Sequence, residues 1–175
     1  LNAGRNLVIE SKANVNNAKG STNLSTGGRT VIKEASIQTG TTVYSSSKGN
    51  AELGNNTRIT GADVTVLSNG TISSSAVIDA KDTAHIEAGK PLSLEASTVT
   101  SDIRLNGGSI KGGKQLALLA DDNITAKTTN LNTPGNLYVH TGKDLNLNVD
   151  KDLSAASIHL KSDNAAHITG TSKTL

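Results

Sequence analysis

The chain has 175 residues and a formal net charge of +2, with acidic and basic residues intermixed along the sequence. It has no Cys, Phe, Trp or Met, and Tyr44 and Tyr138 are its only aromatic residues. This composition excludes disulfide and thiol chemistry, and it disfavours nucleic-acid binding and membrane insertion because it offers neither a basic block nor a long apolar run.

Short apolar sites recur along the chain, three in each period. In the clearest region Leu116, Leu137 and Ile158 are spaced 21 residues apart. The first series is Leu1, Leu24, Val43, Val64, Ile86, Ile110, Leu131 and Leu153. The second series is Leu7, Val31, Leu53, Ile72, Leu92, Leu116, Leu137 and Ile158. The third series is Val15, Ile37, Ile59, Val77, Ile103, Ile124, Leu145 and Ile168.

Each apolar site has the periodicity of a strand, as in Leu145-Asn146-Leu147. Gly and Asn pairs between the sites favour tight corners. If each turn stacks on the previous one, equivalent strands pair in parallel. We therefore predict an all-β fold, a right-handed parallel β-helix of about eight coils, with roughly 21–22 residues and three short strands per coil.

Two other fold classes fit part of the pattern. An antiparallel sandwich or barrel would have turn signals at similar intervals, but the recurrence of three apolar sites with a period of about 21 residues argues against it. Low hydrophobicity with few aromatic residues is also typical of disordered chains. The small net charge and the regular apolar sites disfavour disorder.

Four segments carry a resemblance to a known family: Leu1–Ile9, Leu24–Val31, Gly112–Ala120 and Thr141–Leu147. Their Gly-rich corners followed by Leu-x-Leu patterns resemble the repeats of filamentous haemagglutinin-type adhesins, the large exoproteins of two-partner secretion. Contact-dependent inhibition exoproteins have similar repeats. The resemblance covers nearly the whole chain, so we expect residues 1–175 to be a single β-helical segment of a much longer protein.

This resemblance implies a non-enzymatic structural shaft in a secreted or cell-surface bacterial adhesin that mediates host-cell attachment and virulence. Through the parent protein, its partners would be host-cell surface glycans or receptors and an outer-membrane secretion partner. Heparin-like sulfated glycans are among the ligands that such adhesins bind. No cofactor is expected.

A basic pattern identifies four candidate glycan-binding residues. Arg5, Arg29, Lys90 and Lys114 each precede a residue of the second apolar series by two positions. Stacking would place Arg5 beside Arg29, and Lys90 beside Lys114, on neighbouring coils. Such ladders would suit a sulfated glycan, but a solvated face that keeps the rod soluble is the more common role of surface cations.

An enzyme is the alternative function, because parallel β-helices also include polysaccharide lyases and glycoside hydrolases. Such enzymes need clustered carboxylates. The candidates are Asp79 with Asp82, and Asp121 with Asp122. Aspartates at strand entries are more often turn residues, and the chain offers few aromatic platforms for sugar rings.

Metal binding is not expected. The four histidines, His85, His140, His159 and His167, form no short metal-type cluster and are predicted at outward strand positions. A calcium-binding Gly-Gly-x-Gly-x-Asp repeat is absent from the sequence. Asn-x-Ser/Thr sequences begin at Asn23, Asn55, Asn69 and Asn123, and we interpret these asparagines as corner residues that bond between coils.

Overall fold

The computed structural model describes residues 1–89, 101–148 and 153–170. All regular structure in these residues is β-strand, arranged in three parallel sheets. No helix long and apolar enough to cross a membrane occurs among them. The chain visits the sheets in the order A, B, C and then returns to A, so the described residues form seven complete turns and part of an eighth.

The strands of each sheet come from successive turns. Sheet A contains β1 (Asn2–Ala3), β4 (Thr22–Thr26), β7 (Thr42–Ser47), β10 (Asp63–Ser68), β13 (Thr83–Ala88), β16 (Gln115–Ala120), β19 (Asn136–Thr141) and β22 (Ser157–Ser162). Sheet B contains β2 (Leu7–Ile9), β5 (Thr30–Ile32), β8 (Ala51–Leu53), β11 (Ile72–Ser74), β14 (Ile103–Asn106), β17 (Ile124–Lys127), β20 (Leu145–Asn148) and β23 (Ala166–Thr169). Sheet C contains β3 (Asn14–Asn17), β6 (Ser36–Thr39), β9 (Arg58–Gly61), β12 (Val77–Ala80), β15 (Ser109–Gly112), β18 (Asn130–Asn132) and β21 (Leu153–Ser154).

The predicted solenoid and its strand alternation are confirmed. In β10, Val64 and Val66 point into the core and are fully buried, whereas Thr65 between them points outward. Val64 pairs in register with Val43 on one side and with Ala84 on the other. The core is therefore a stack of Leu, Ile, Val and Ala layers that run the length of the three sheets.

The predicted register is wrong beyond Ile86. The first series starts in sheet A, but Ile110, Leu131 and Leu153 lie in sheet C. In the structure Ile86 pairs with Leu118. The later members of the other two series are displaced in the same way: those of the second series (Leu116, Leu137 and Ile158) lie in sheet A, and those of the third (Ile103, Ile124, Leu145 and Ile168) lie in sheet B.

One long connection explains this displacement. Seven connections from sheet A to sheet B have three residues each, and we call them the A–B corners. Fourteen residues, 89–102, separate the end of β13 from the start of β14, and 90–100 of these lie outside the described residues. The predicted strand site at Leu92 is among the residues that the structure does not describe.

Polar side chains bond the A–B corners of neighbouring turns to one another. The last residue of a corner is often Asn or Asp, and its side-chain oxygen accepts a hydrogen bond from the equivalent backbone N–H of the next turn. These bonds join Asn6 to Arg29 (3.0 Å), Asn50 to Thr71 (3.0 Å), Asp102 to Asn123 (3.1 Å), Asn123 to Asp144 (3.1 Å) and Asp144 to Ala165 (3.3 Å). The role of Asn123 as a corner residue is thereby confirmed, whereas the same prediction for Asn23 is wrong, because Asn23 lies within β4 and pairs with Tyr44.

Hydroxyl groups at the ends of sheet A strands satisfy further corner groups. Thr26 donates to the carbonyl of Arg5, Ser68 donates to that of Gly49 (2.6 Å), and Ser162 donates to that of Lys143 (2.6 Å). Each acceptor is the middle residue of the preceding turn's corner. A carbonyl that is left without a hydrogen-bond partner inside a protein is costly. These hydroxyl groups supply that partner, so the chain can make a tight corner without leaving its carbonyl group unsatisfied.

Thr30 is a polar defect in the core. It is fully buried and pairs in register with Leu7 and Ala51, and its Oγ1 has no hydrogen-bond partner among the described residues. We expect Thr30→Val to raise the free energy of unfolding by about 1 kcal/mol, because valine has the same shape without the unsatisfied hydroxyl. Thermal unfolding followed by circular dichroism measures the change.

Thr57 provides the matched control for that substitution. It is also buried, but its Oγ1 donates to the carbonyl of Ile32 at 3.2 Å. Thr57→Val should therefore lower the free energy of unfolding by about 1 kcal/mol. Destabilisation by Thr30→Val as large as that by Thr57→Val would contradict the assignment of Thr30 as a defect.

Candidate functional site

Arg5 and Arg29 lie in neighbouring A–B corners, as the spacing predicts, but they are offset by one residue. The backbone N–H of Arg29 donates to Oδ1 of Asn6 at 3.0 Å, so Arg29 is level with Asn6. Arg5 is level with Gly28, where a Cβ atom would collide with the Arg5 carbonyl. That close approach requires glycine at position 28.

A carboxylate of the next turn engages Arg29. The Arg29 guanidinium forms an ion pair with Glu52, which also lies 2.6 Å from Nζ of Lys33. The hydrogen bond from Lys33, followed by that from Arg29, lowers the pKa of Glu52. Glu52 therefore stays ionised and partly neutralises both cations.

Lys114 lies at the opposite end of the sheet A strands from the A–B corners, in the connection from sheet C to sheet A. Its neighbour Gln115 pairs with Thr83, so Lys114 is level with Asp82. The Lys114 Nζ is 2.7 Å from Asp82 Oδ1, and this hydrogen bond raises the pKa of Lys114. Lys90 lies outside the described residues.

The three predicted cations that the structure describes therefore lie in two separate places. Arg5 and Arg29 lie in the corners that follow the sheet A strands. Lys114 lies at the opposite end of these strands, where it pairs with Asp82 of the preceding turn. The expected stacking of Lys90 on Lys114 stays a prediction, because Lys90 lies outside the described residues. What the structure brings together are cation–carboxylate pairs between successive turns.

Three of the four aspartates proposed for catalysis take part in the same kind of pairing. Asp79 lies 3.2 Å from Arg58, and Asp82 binds Lys114. Asp122 binds Lys143 at 2.6 Å, and the hydrogen bond from Lys143 is the main cause of its lowered pKa.

The two aspartate pairs also lie apart. Asp79 belongs to sheet C and Asp82 to the adjoining corner, whereas Asp121 and Asp122 lie in an A–B corner. The second cause of the lowered pKa of Asp122 is a bond from the backbone N–H of Ser101, 2.9 Å long. A general acid needs a carboxyl group that is still protonated near neutral pH. The lowered pKa of Asp122 favours the ionised carboxylate instead.

Sequence reasoning missed a clustering of histidines and tyrosines on one face. Three of the four histidines lie on strands of sheet A, and so do both tyrosines. His167 instead lies on β23 of sheet B, level with Asn146. The 21-residue spacing of Tyr138 and His159 is the signal that could have revealed the cluster. No group of His, Cys, Asp and Glu that could hold a metal ion occurs in the part of the chain that the structure describes.

Comparison with known proteins gives one family match. Residues 67–136 match the family model of the hemagglutinin repeat. The matched span runs from β10 into β19, across the long connection and the turns on either side of it. No curated protein and no solved structure gives a significant match.

The match and the architecture agree. A three-sheet solenoid that contains a hemagglutinin repeat fits a filamentous haemagglutinin-type β-helical repeat, which confirms the family resemblance found in the sequence. The hemagglutinin repeat family is a family of structural adhesins, and the combination supports a filamentous haemagglutinin-like shaft segment.

Proposed function

We propose that this stretch of filamentous haemagglutinin-type β-helical repeat is part of the shaft of a large, secreted bacterial adhesin that attaches to host cells. The observation that carries the proposal is the unbroken pairing of each turn with the next in all three sheets. The parent protein would reach the cell surface through an outer-membrane partner. The segment has no catalytic role in this proposal, and residues 1–175 act as one structural unit.

The geometry suits a spacer. Each turn adds about 4.8 Å along the axis, so eight stacked strands span roughly 34 Å. Each turn contacts only its neighbours, and stability is then a sum of similar local terms. A rod of this kind holds a binding site at a fixed distance from the cell surface, and adding turns increases that distance.

We further propose that Arg5, Arg29, Lys90 and Lys114 contribute only weak contacts to sulfated glycans. The side chains of Arg29 and Lys114 are 53% and 75% exposed, so a polyanion can reach them. Each already binds a carboxylate, Glu52 or Asp82, which a sulfate group would have to displace. Exposed pairs of this kind are worth about 0–1 kcal/mol, and the net gain from exchanging partners is small.

Heparin chromatography tests this proposal. At physiological salt we expect weak or no retention of the unmodified chain. Glu52→Gln should release Arg29 and Lys33 and shift elution to higher salt. Glu10→Gln is the matched control, since Glu10 is exposed and forms no ion pair among the described residues, and it should shift elution less.

Two outcomes would contradict the passive shaft. One is strong, saturable heparin retention that is lost in the Arg5→Gln/Arg29→Gln variant. The other is depolymerisation of an acidic polysaccharide that is abolished when Asp79, Asp82, Asp121 or Asp122 is changed to Asn. The first would indicate a dedicated glycan site, and the second would indicate the β-helix enzyme.

A further inference from the structure

The outer face of sheet A carries apolar and aromatic side chains in its middle turns. Its middle column consists, turn after turn, of Asn23, Tyr44, Thr65, His85, Ala117, Tyr138 and His159. Its second column consists of Ser25, Ser46, Leu67, Glu87, Leu119, His140 and Lys161. The corresponding column of sheet C is polar in each described turn: Asn16, Gln38, Thr60, Asp79, Lys111, Asn132 and Ser154. On sheet B the outward column is also polar from Glu52 onward.

The large outward side chains of sheet A are arranged symmetrically about β13. In the second column, Leu67 lies one turn before β13 and Leu119 one turn after it. In the middle column, Tyr44 lies two turns before β13 and Tyr138 two turns after it. A two-fold rotation about the direction of β13 places a second copy over this face, with its axis antiparallel to that of the first. Leu67 of one copy then faces Leu119 of the other, and Tyr44 faces Tyr138, which is the self-complementarity that an isologous interface requires.

A groove lies where the tyrosine of the second copy would arrive. It is shallow, has a volume of about 520 Å³, and its outward side chains are Leu119, Tyr138, His140, His159 and Lys161. Tyr44 is 37% exposed, so its ring is free to enter such a groove. Because the two-fold rotation exchanges the copies, each copy inserts one tyrosine and receives one.

The face has the size of a weak interface. From Asn23 to His159 it spans six steps between turns, which is about 29 Å, and a strand of six residues is about 17–20 Å long. The face therefore covers about 500 Å² on each copy, or about 1,000 Å² on both. Specific interfaces begin at about 1,000 Å², and those below about 1,200 Å² are typically transient.

The charges on this face affect the strength of such a pair. In the middle and second columns, strands β7 to β19 carry one formally charged residue, Glu87, whose carboxylate oxygen lies 2.8 Å from Nε2 of His85. The two-fold axis brings the two copies of Glu87 opposite each other, and like charges across an interface oppose association. The other charged outward residues of sheet A strands, Asp63 and Lys161, lie opposite uncharged side chains.

We infer that the outer face of sheet A is a self-association surface on which a second copy of this chain docks antiparallel. Leu67 packs against Leu119 of the second copy, and Tyr44 enters the groove around the second copy's Tyr138. The symmetry about β13 favours a second copy as the occupant, because an unrelated protein would not need it. This inference goes beyond the shaft proposal, since it concerns contacts between two rods and does not depend on what either rod supports.

Sedimentation equilibrium at chain concentrations of about 0.01–1 mM tests the inference, a range that suits an interface of this size. The unmodified chain should form dimers at the upper end and no larger species, because an isologous contact closes at two copies. Leu67→Lys and Leu119→Glu should each weaken dimerisation about tenfold or more, since each places an unpaired charge against a leucine. The double variant Leu67→Lys/Leu119→Glu should restore dimerisation, because the antiparallel arrangement sets each lysine opposite a glutamate.

Three further variants serve as controls. Val77→Glu is matched to Leu119→Glu, because Val77 is an outward apolar residue of sheet C, and this variant should dimerise like the unmodified chain. Ile168→Ser should also keep dimerisation, because Ile168, which is 51% exposed on the last described turn, lies outside the face. Glu87→Gln should strengthen dimerisation about threefold, because it removes the repulsion at the axis. Circular dichroism checks that each variant is folded.

Several results would each overturn the inference. One is a chain that stays monomeric at every concentration, and another is growth beyond the dimer, which a contact between rod ends would produce. Single variants at Leu67 and Leu119 that dimerise normally would exclude this face. A double variant that is no better than the single variants would exclude the antiparallel register, and so would weaker dimerisation of Glu87→Gln. A loss for Val77→Glu equal to that for Leu119→Glu would show that the effect is not specific to sheet A.

Discussion

Deleting residues 90–100 should leave a folded solenoid whose cooperative thermal unfolding occurs at or slightly above the original temperature. The deletion shortens the fourteen-residue connection between β13 and β14 to three residues, the length of the seven A–B corners. It joins Gly89 directly to Ser101. Loop closure becomes less costly by roughly 1 kcal/mol, because closure entropy grows with the logarithm of loop length.

The contacts on either side of the deletion support this result. The N–H of Gly89 already donates to the carbonyl of Ser68 at 2.9 Å, as the first residue of a three-residue corner does. Asp102 already has the contacts of the last corner residue, since its carbonyl accepts from Ile72 at 2.8 Å and its side chain accepts from Asn123. The three remaining residues are therefore placed as a short corner requires.

A second deletion of equal length is the control. Removing residues 116–126 also takes away eleven residues, but these include most of β16 and the first three of the four residues of β17. The following turns would lose their register, and core side chains would be turned outward. We expect loss of the cooperative transition, whereas removal of the full 21-residue turn 116–136 should preserve it. Equal damage from the deletions of 90–100 and 116–126 would contradict the assigned register.

Leu116→Ala should destabilise the solenoid by about 3 kcal/mol, within the 2–5 kcal/mol usual for buried leucines. Leu116 is fully buried and pairs in register with Ala84 above and Leu137 below. A layer that already contains Ala84 has little extra side-chain volume with which to fill the cavity. For a chain of this size the melting temperature should fall by roughly 10 °C.

Gln115→Ala is the control for that substitution. Gln115 precedes Leu116 on the same strand and points outward, so its truncation leaves the core unchanged. Surface changes of this kind are usually worth less than about 0.5 kcal/mol. Similar losses for both variants, measured by chemical denaturation, would show that the inward and outward faces of β16 are wrongly assigned.

The sequence predicts the architecture well because its information is periodic. Alternation within each site indicates strands, and the spacing of Leu116, Leu137 and Ile158 indicates stacking, and both are confirmed. Neither signal says to which sheet a strand belongs, since all three sheets use the same small aliphatic residues. The predicted second series therefore passes from Ile72 to Leu92, whereas in the structure Ile72 pairs with Ile103 of β14, and every later predicted site falls in the wrong sheet.

The ion pairs between turns are harder to predict from the sequence. Arg58 and Asp79 are 21 residues apart, as are Asp122 and Lys143. Opposite charges that lie one period apart in the sequence therefore predict an ion pair between adjacent turns. Lys114 and Asp82 also lie on adjacent turns, but the long connection separates them by 32 residues. Their pairing could be recognised only after the register was known.

The stacking of parallel strands has a mechanical consequence. Backbone hydrogen bonds between turns run along the axis of the rod, so tension applied to its two ends pulls directly on these bonds. An end turn can peel away while the next keeps its three strands paired, and each released turn of about 21 residues adds roughly 70 Å of extended chain. Such a shaft would lengthen stepwise under flow and limit the force that reaches its attachment site.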